Sequence, residues 1–295
     1  CLKFIKSQET KDDKFKNKER MIKSFLIPLC FWISKKADKK KPYIAGLAGG
    51  QGTGKTTTSS LIKIILTKYF KLKVFRISID DFYKTRKERI DLSKRVHPML
   101  LTRGVPGTHD INMMLSFFKK AKSKKFKKLK LPTFNKAIDD RFNKKHWYDL
   151  KHKPDVIIFE GWCVGAKAEK NNTLMKNINS MEKSQDKKQT WRKYVNQQLK
   201  LKYKNLYSQL NCLIYLKAQN FNLLQKWRLK QERKLWIKSK KNYNLKIMSK
   251  KDVISFMQTY QRITLNMFRY MPKYASIILN LNSKHQIKSA VYRNK

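Results

Sequence analysis

The stretch Gly49-Gly50-Gln51-Gly52-Thr53-Gly54-Lys55-Thr56 constrains this chain more than any other. It fits G-x-x-x-x-G-K-[ST], the phosphate-binding P-loop. The flanks agree with that reading. Tyr43 to Ala48 reads as a short buried strand, and Thr57 to Leu66 reads as a helix. A glycine-rich turn that merely happened to precede Lys-Thr would not need either neighbour. Strand, loop and helix N-terminus in that order build an anion site. The glycines let backbone N–H groups turn inward around phosphate oxygens, and the helix dipole adds positive potential. Gly49 to Thr57 are therefore the expected nucleotide cradle. Within it, Lys55 is expected to reach the β- and γ-phosphates and the Thr56 hydroxyl to hold Mg²⁺.

The rest of the chain alternates between strand and helix signals. Lys73 to Ile79, Asp155 to Phe159, Cys212 to Leu216 and Ala275 to Leu279 read as strands, with Lys128 to Leu131 a further short candidate. Residues 21–36, 110–122, 191–210, 219–238 and 250–270 read as helices, the second capped by Asp110. Near-continuous apolar strands such as Val156-Ile157-Ile158-Phe159 belong in a parallel sheet covered on both faces. The expected class is α/β, a P-loop NTPase-type doubly wound parallel sheet with helices on both faces. The expected division is a charged N-terminal segment with a packing helix over 1–41, its first twenty residues frayed. A catalytic domain follows over 42–295, with a lid region near 219–240.

Further motifs carry chemistry. Ser78-Ile79-Asp80-Asp81-Phe82-Tyr83 sits at the C-terminal end of the second strand, where open α/β sheets bind ligands. Of the two acids there, one can accept a proton from an attacking hydroxyl and the other can order Mg²⁺ or its waters; a helix cap or turn is the plainer alternative. Asp155 to Trp162 is an apolar strand ending in Glu160, the Walker B arrangement, with the carboxylate aimed at the metal shell. The loop Leu101 to Asp110 offers Arg103 and His109 for binding an anion, although His109 is equally readable as an ordinary turn residue. Leu131 to Arg141 offers Lys136 and Arg141 as clamps for a carboxylate or phosphate. Arg141 stands out because only 13 of the 70 basic residues are arginine. On a helix, Trp227-Arg228 provides a cation that either folds over the nucleotide or lies on a solvated face.

In this order the motifs resemble the D-glycerate 3-kinase family, a branch of the phosphoribulokinase, uridine kinase and pantothenate kinase superfamily. The P-loop, Ile79 to Tyr83, Arg103 to Asp110, Phe134 to Arg141, Phe159 to Gly165 and Trp227 to Glu232 carry the likeness, over roughly residues 42–280. The resemblance implies a P-loop kinase using ATP and Mg²⁺ to phosphorylate a small alcohol, with D-glycerate the leading substrate. It matches Asp80 to the family's base and Glu160 to the acid of the Walker B strand, and it brings Arg228 into the lid region. Asn135, Ala137 and the short Ile138-Asp139 link depart from the usual Phe-Asp-Lys-Ser segment. Lys55, Asp80, Asp81 and Arg228 are thus the catalytic candidates, Arg103, His109, Lys136 and Arg141 the substrate-binding ones. Thr56 and Glu160 are the metal ligands. A nucleoside or pantothenate kinase is the alternative.

Composition bears on partners. The formal net charge is +50, which raises nucleic-acid binding as a rival. However, the charge is spread along the whole chain and is mostly lysine, whereas readers of nucleic acid favour bidentate arginine. A nucleic-acid-stimulated ATPase would leave the substrate-side motifs without a role. The expected partner is a small hydroxy acid, with no specific nucleic acid, no membrane, and a monomer or homodimer as the assembly. Cys1, Cys30, Cys163 and Cys212 show neither metal nor disulfide spacing, which fits a reducing cytoplasm. The chain starts at Cys1 and not Met, which leaves its natural start open. The charge leads to a first prediction. DNA or RNA will bind weakly, with affinity falling steeply between 50 and 200 mM salt, and will not raise ATP turnover; nucleic-acid-stimulated hydrolysis would reinstate the rival.

Overall fold

The computed structural model describes residues 1–10, 14–38, 40–238 and 248–293. The first strand, β1 (Tyr43–Gly49), is buried along its whole length, as its small and apolar residues require of a strand covered on both faces. The chain continues through β2 (Val74–Ser78), β3 (Leu129–Leu131), β4 (Phe134–Asn135), β5 (Asp140–Arg141) and β6 (Tyr148–Leu150). After these come β7 (Val156–Gly161), β8 (Cys212–Lys217), β9 (Ile277–Leu281) and β10 (Ile287–Tyr292). The main sheet has the order β10-β9-β8-β1-β7-β2. It is parallel except for β10, which returns antiparallel along β9.

Side chains alternate across this sheet and build two cores. Ile44, Ala48, Ile157, Phe159 and Tyr215 pack with Phe118, Tyr203, Tyr260 and Ile263 on one face. Those partners come from helices Ile111–Lys122 and Lys250–Tyr270 and from the helical run over 190–207. Tyr43, Ala45, Leu47, Val156 and Ile158 pack on the other face with Leu29, Ile33, Leu61, Ile65 and Leu224. These belong to the helical run over 18–36 and to helices Lys55–Lys68 and Phe221–Lys238. The expected α/β class, with helices on both faces, is therefore observed. Local signals set the helix starts. Asp110 accepts a hydrogen bond from the Met113 N–H at 3.0 Å, and Thr85 with Glu88 and Ser249 with Asp252 form reciprocal capping boxes. Residues 239–240, the end of the stretch expected to form a lid, lie outside the described residues.

Three features differ from expectation. The chain does not end its sheet at β9. The edge strand β10 was missed because Lys288 and Ser289 dilute its apolar pattern, as befits an edge half open to solvent. Between Lys128 and Leu150 the chain forms two antiparallel ribbons, β3 with β6 and β4 with β5, outside the main sheet. The first twenty residues are not simply frayed, since Leu2–Ser7 is a helix whose Ile5 side chain is fully buried in the second core. Ile5→Ala is accordingly expected to lower unfolding free energy by about 2–5 kcal/mol in urea titration, whereas a loose terminus would give no change.

Candidate active site

Parallel pairing brings three strand ends together. Glu160 lies opposite Leu47 of β1 on one side and Ser78 of β2 on the other. The P-loop leaves β1 at this level, and Asp80 follows β2 by two residues. In the loop, Gly52 has φ +80°, and a Cβ there would fall 2.8 Å from the Trp227 Cβ. Helix Phe221–Lys238 thus rests against the loop so closely that only glycine fits. Lys55 Nζ donates to the Gly50 carbonyl at 3.0 Å, and the Thr53 hydroxyl donates to the same oxygen at 2.8 Å. The Gln51 Oε1 is buried without a partner.

Glu160 is buried, and the Thr56 hydroxyl donates to its Oε2 at 3.4 Å. Arg76 from β2 approaches its other oxygen at 3.7 Å. Burial lifts the carboxyl above its ordinary value, while Lys55 and Arg76 work against that rise. Burial likewise lowers Lys55, and Glu160 and Asp80 oppose the change. Arg76 is itself pinned to the start of helix Lys55–Lys68 through the Thr56 carbonyl and the Ser60 hydroxyl, at 3.1 and 3.0 Å. Among the described residues no three His, Cys, Asp or Glu side chains gather at one point. A hydroxyl and one carboxylate beside a phosphate cradle is the protein ligand set that suits Mg²⁺, which keeps its waters and takes phosphate oxygens.

Beyond the end of β2, Asp80 takes a hydrogen bond from the Tyr83 hydroxyl on Oδ1 and from Lys136 Nζ on Oδ2, each at 2.9 Å. Burial opposes its charge, yet Lys136, His109 and Tyr83 together hold its carboxyl below the ordinary value. Asp81 is pushed up to about 6 by burial and by the neighbouring Asp80. His109 is buried, stacks on Tyr83 with ring centroids 4.5 Å apart, and bonds Tyr203 through Nδ1 at 2.6 Å. Burial lowers it to about 4.

The remaining sequence candidates are engaged in ways the sequence did not disclose. Arg103 pairs with Asp139 and lies over the Phe134 ring. Arg141 donates to the Tyr83 carbonyl at 2.7 Å and approaches Asp110 at 3.7 Å. Arg228 pairs with Glu232 four residues on, and its Nε is buried without a partner. Lys136, Asp80 and the P-loop are brought together, while Arg103 and Arg141 fix the β4–β5 turn that carries Lys136. Residues missed by sequence reading complete the site. Arg89 is fully buried and holds the same turn through the Asp139 carboxylate and the Leu101 carbonyl, at 3.1 and 2.6 Å. Tyr260 fills the space opened by Gly104, where a Cβ would fall 2.2 Å from its hydroxyl. Trp162 donates to the Gly104 carbonyl at 2.8 Å. Arginine scarcity was the available signal for Arg76 and Arg89.

The uncharacterized kinase mug58 of Schizosaccharomyces pombe is 30% identical over 254 residues, spanning 83% of this chain and 84% of that protein. The chloroplastic D-glycerate 3-kinase of Arabidopsis thaliana is 27% identical over 227 residues, 70% of this chain and 47% of that longer one. The chain belongs to the D-glycerate 3-kinase family of P-loop kinases. It is an ATP-dependent small-molecule kinase. A solved D-glycerate 3-kinase from Cryptococcus neoformans shares the fold with a TM-score of 0.73 at 22% identity, over 90% of this chain and 97% of that one. No family model matches the sequence. No helix among the described residues of this family member is long and apolar enough to cross a membrane.

The buried histidine leads to a pH prediction. A histidine whose folded value is depressed to about 4 contributes stability that is complete above its unfolded value near 6.5 and is lost as pH falls between the two. In urea unfolding at pH 7 and pH 4.5, the protein should lose about 2–3 kcal/mol more than its His109→Gln variant. Equal losses would mean that His109 does not remain neutral in the fold.

Proposed function

We propose that the protein transfers the γ-phosphoryl group of ATP to a hydroxyl of D-glycerate. The observation that carries this reading is the 2.9 Å contact between Lys136 Nζ and Asp80 Oδ2. A cation this close to the candidate base suits an acceptor whose negative group lies only a few bonds from its reacting hydroxyl. A three-carbon hydroxy acid meets that condition, while a nucleoside or a long pantothenate-like alcohol does not.

In this reading the P-loop backbone from Gly49 to Thr57 and Lys55 hold the triphosphate. Thr56 and Glu160 would hold Mg²⁺, which neutralises charge on the β- and γ-phosphates when bound. Lys136 leaves Asp80 for the substrate carboxylate, and the loss of that neighbour raises the proton affinity of Asp80. Asp80 then orients the acceptor hydroxyl and takes its proton, with Asp81 beside it. Arg103 and Arg141 hold the β4–β5 turn and lend positive potential to the anion. Arg228, on the helix that rests against Gly52, supplies a cation over the nucleotide. Positioning and charge supply most of the rate in phosphoryl transfer, so placement matters more here than intrinsic reactivity.

The test is coupled ADP release with a panel of D-glycerate, other hydroxy acids, nucleosides, pantothenate and sugar phosphates. D-Glycerate should give the highest kcat/KM, and preference for another class would reassign the substrate. Asp80→Asn should lower kcat by about 10²–10⁴-fold with the ATP KM little changed. Lys136→Met should raise the acceptor KM by about tenfold. Retained turnover in the first variant would remove Asp80 from the base role.

A further inference from the structure

His109 and Tyr203 form a buried pair whose protons can be assigned by hydrogen-bond accounting. The Tyr203 side chain is fully buried in the helical run over 190–207. Its oxygen accepts from the Gly107 backbone N–H at 3.0 Å, and the His109 backbone N–H also faces it. Backbone N–H groups can only donate. The phenol proton therefore needs an acceptor, and among the described residues the only one bonded to that oxygen is His109 Nδ1, at 2.6 Å. If Nδ1 carried the proton, a buried phenol O–H would be left unpaired. The satisfied arrangement is Tyr203 O–H donating to Nδ1, which leaves the proton of neutral His109 on Nε2. That nitrogen is buried and has no partner.

An orphaned buried donor costs free energy unless something accepts from it. Its surroundings indicate what that is. The His109 ring stacks on Tyr83, whose hydroxyl is bonded to Asp80. The donor ring is therefore one side chain, Tyr83, away from the carboxylate proposed to receive the reacting hydroxyl.

We infer that His109, locked by Tyr203 as its Nε2–H tautomer, donates a hydrogen bond to an oxygen of the acceptor substrate, and that Tyr203 is a positioning residue for this contact. The inference rests on the kinase reading above and adds to it a neutral donor whose direction is fixed by a residue outside the sequence motifs. A protonated histidine would offer two donors and a charge. The locked neutral ring offers one donor in one direction, which favours an oxygen acceptor and rejects an analogue lacking that oxygen.

The test combines spectroscopy and kinetics with D-glycerate as the probe. The chain has five histidines, so the ¹⁵N signals of His109 can be assigned by difference against His109→Gln. The wild type should show the Nε2–H tautomer, and Tyr203→Phe should shift it toward Nδ1–H. Tyr203→Phe and His109→Leu should each raise the acceptor KM by about tenfold while the ATP KM stays within about twofold. His109→Gln, whose amide N–H₂ reaches the Nε2 position, should restore most of the acceptor KM. A wild-type Nδ1–H tautomer overturns the inference even if a variant fails to fold. Wild-type turnover of D-glycerate with unchanged acceptor KM in both variants also overturns it, and leaves the kinase reading intact. A wild type that turns over no member of the acceptor panel removes both.

Discussion

The parallel pairing of β7 between β1 and β2 is the constraint on which the rest of this molecule depends. It sets Glu160 level with the end of β1 and the end of β2. Three chain segments far apart in sequence thereby deliver a phosphate cradle, a carboxylate and an acid pair to one point. A slip of one residue in β7 would turn Glu160 to the opposite face of the sheet and bring Phe159 or Gly161 to the P-loop. The apolar run from Val156 to Phe159 resists such a slip, because its alternate side chains serve two different cores.

Around that point charge is balanced locally. Burial pulls both Glu160 and Lys55 toward their neutral forms, and each opposes that pull on the other. Arg76 adds a second cation and is anchored to the helix that follows the P-loop. The cluster around Asp80 follows the same logic at longer range. Lys136 is largely exposed, but the turn that carries it is held by the buried Arg89 and by Arg103, both bound to Asp139. Lys136 itself is a long, exposed side chain on this anchored turn, which suits the role proposed for it above.

Much of this was legible in the sequence where a motif coincides with a backbone requirement. The P-loop, the apolar strand ending in Glu160 and the acids after β2 each declare themselves, because glycine, burial and a strand terminus restrict which residues can stand there. The helix start at Asp110 was legible from its capping side chain, which accepts from the Met113 N–H. What was illegible depends on tertiary partners. Nothing near Tyr203 in sequence marks it as the neighbour of His109, since the two are 94 positions apart. Tyr260 reads as one more apolar position on a long helix until Gly104 is seen to leave room for it. Arg103 and Arg141 were read from sequence as anion-binding candidates, Arg141 for the scarcity of arginine, and only the β4–β5 turn discloses what they hold.

The extreme charge of the chain obscured a simpler rule. Among the described residues the buried ionic side chains include Arg89, Arg192, Arg262, Glu160, Glu182, Asp186 and Glu232, whereas Lys55 at the site is only half-buried. Arg192 binds Asp186, and Arg262 binds Glu182 and Glu169, in pairs with little access to water. Lysine is a strongly hydrated point charge, whereas guanidinium is planar, more weakly hydrated and able to satisfy several acceptors at once. A composition driven toward lysine can therefore load the surface freely, because each exposed ammonium remains in water. It cannot load the interior, where each buried carboxylate needs a partner with several directed donors. Arg89, Arg192 and Arg262 mark where the fold makes those demands, while Arg20, Arg86, Arg95, Arg233 and Arg269 stay exposed among the lysines.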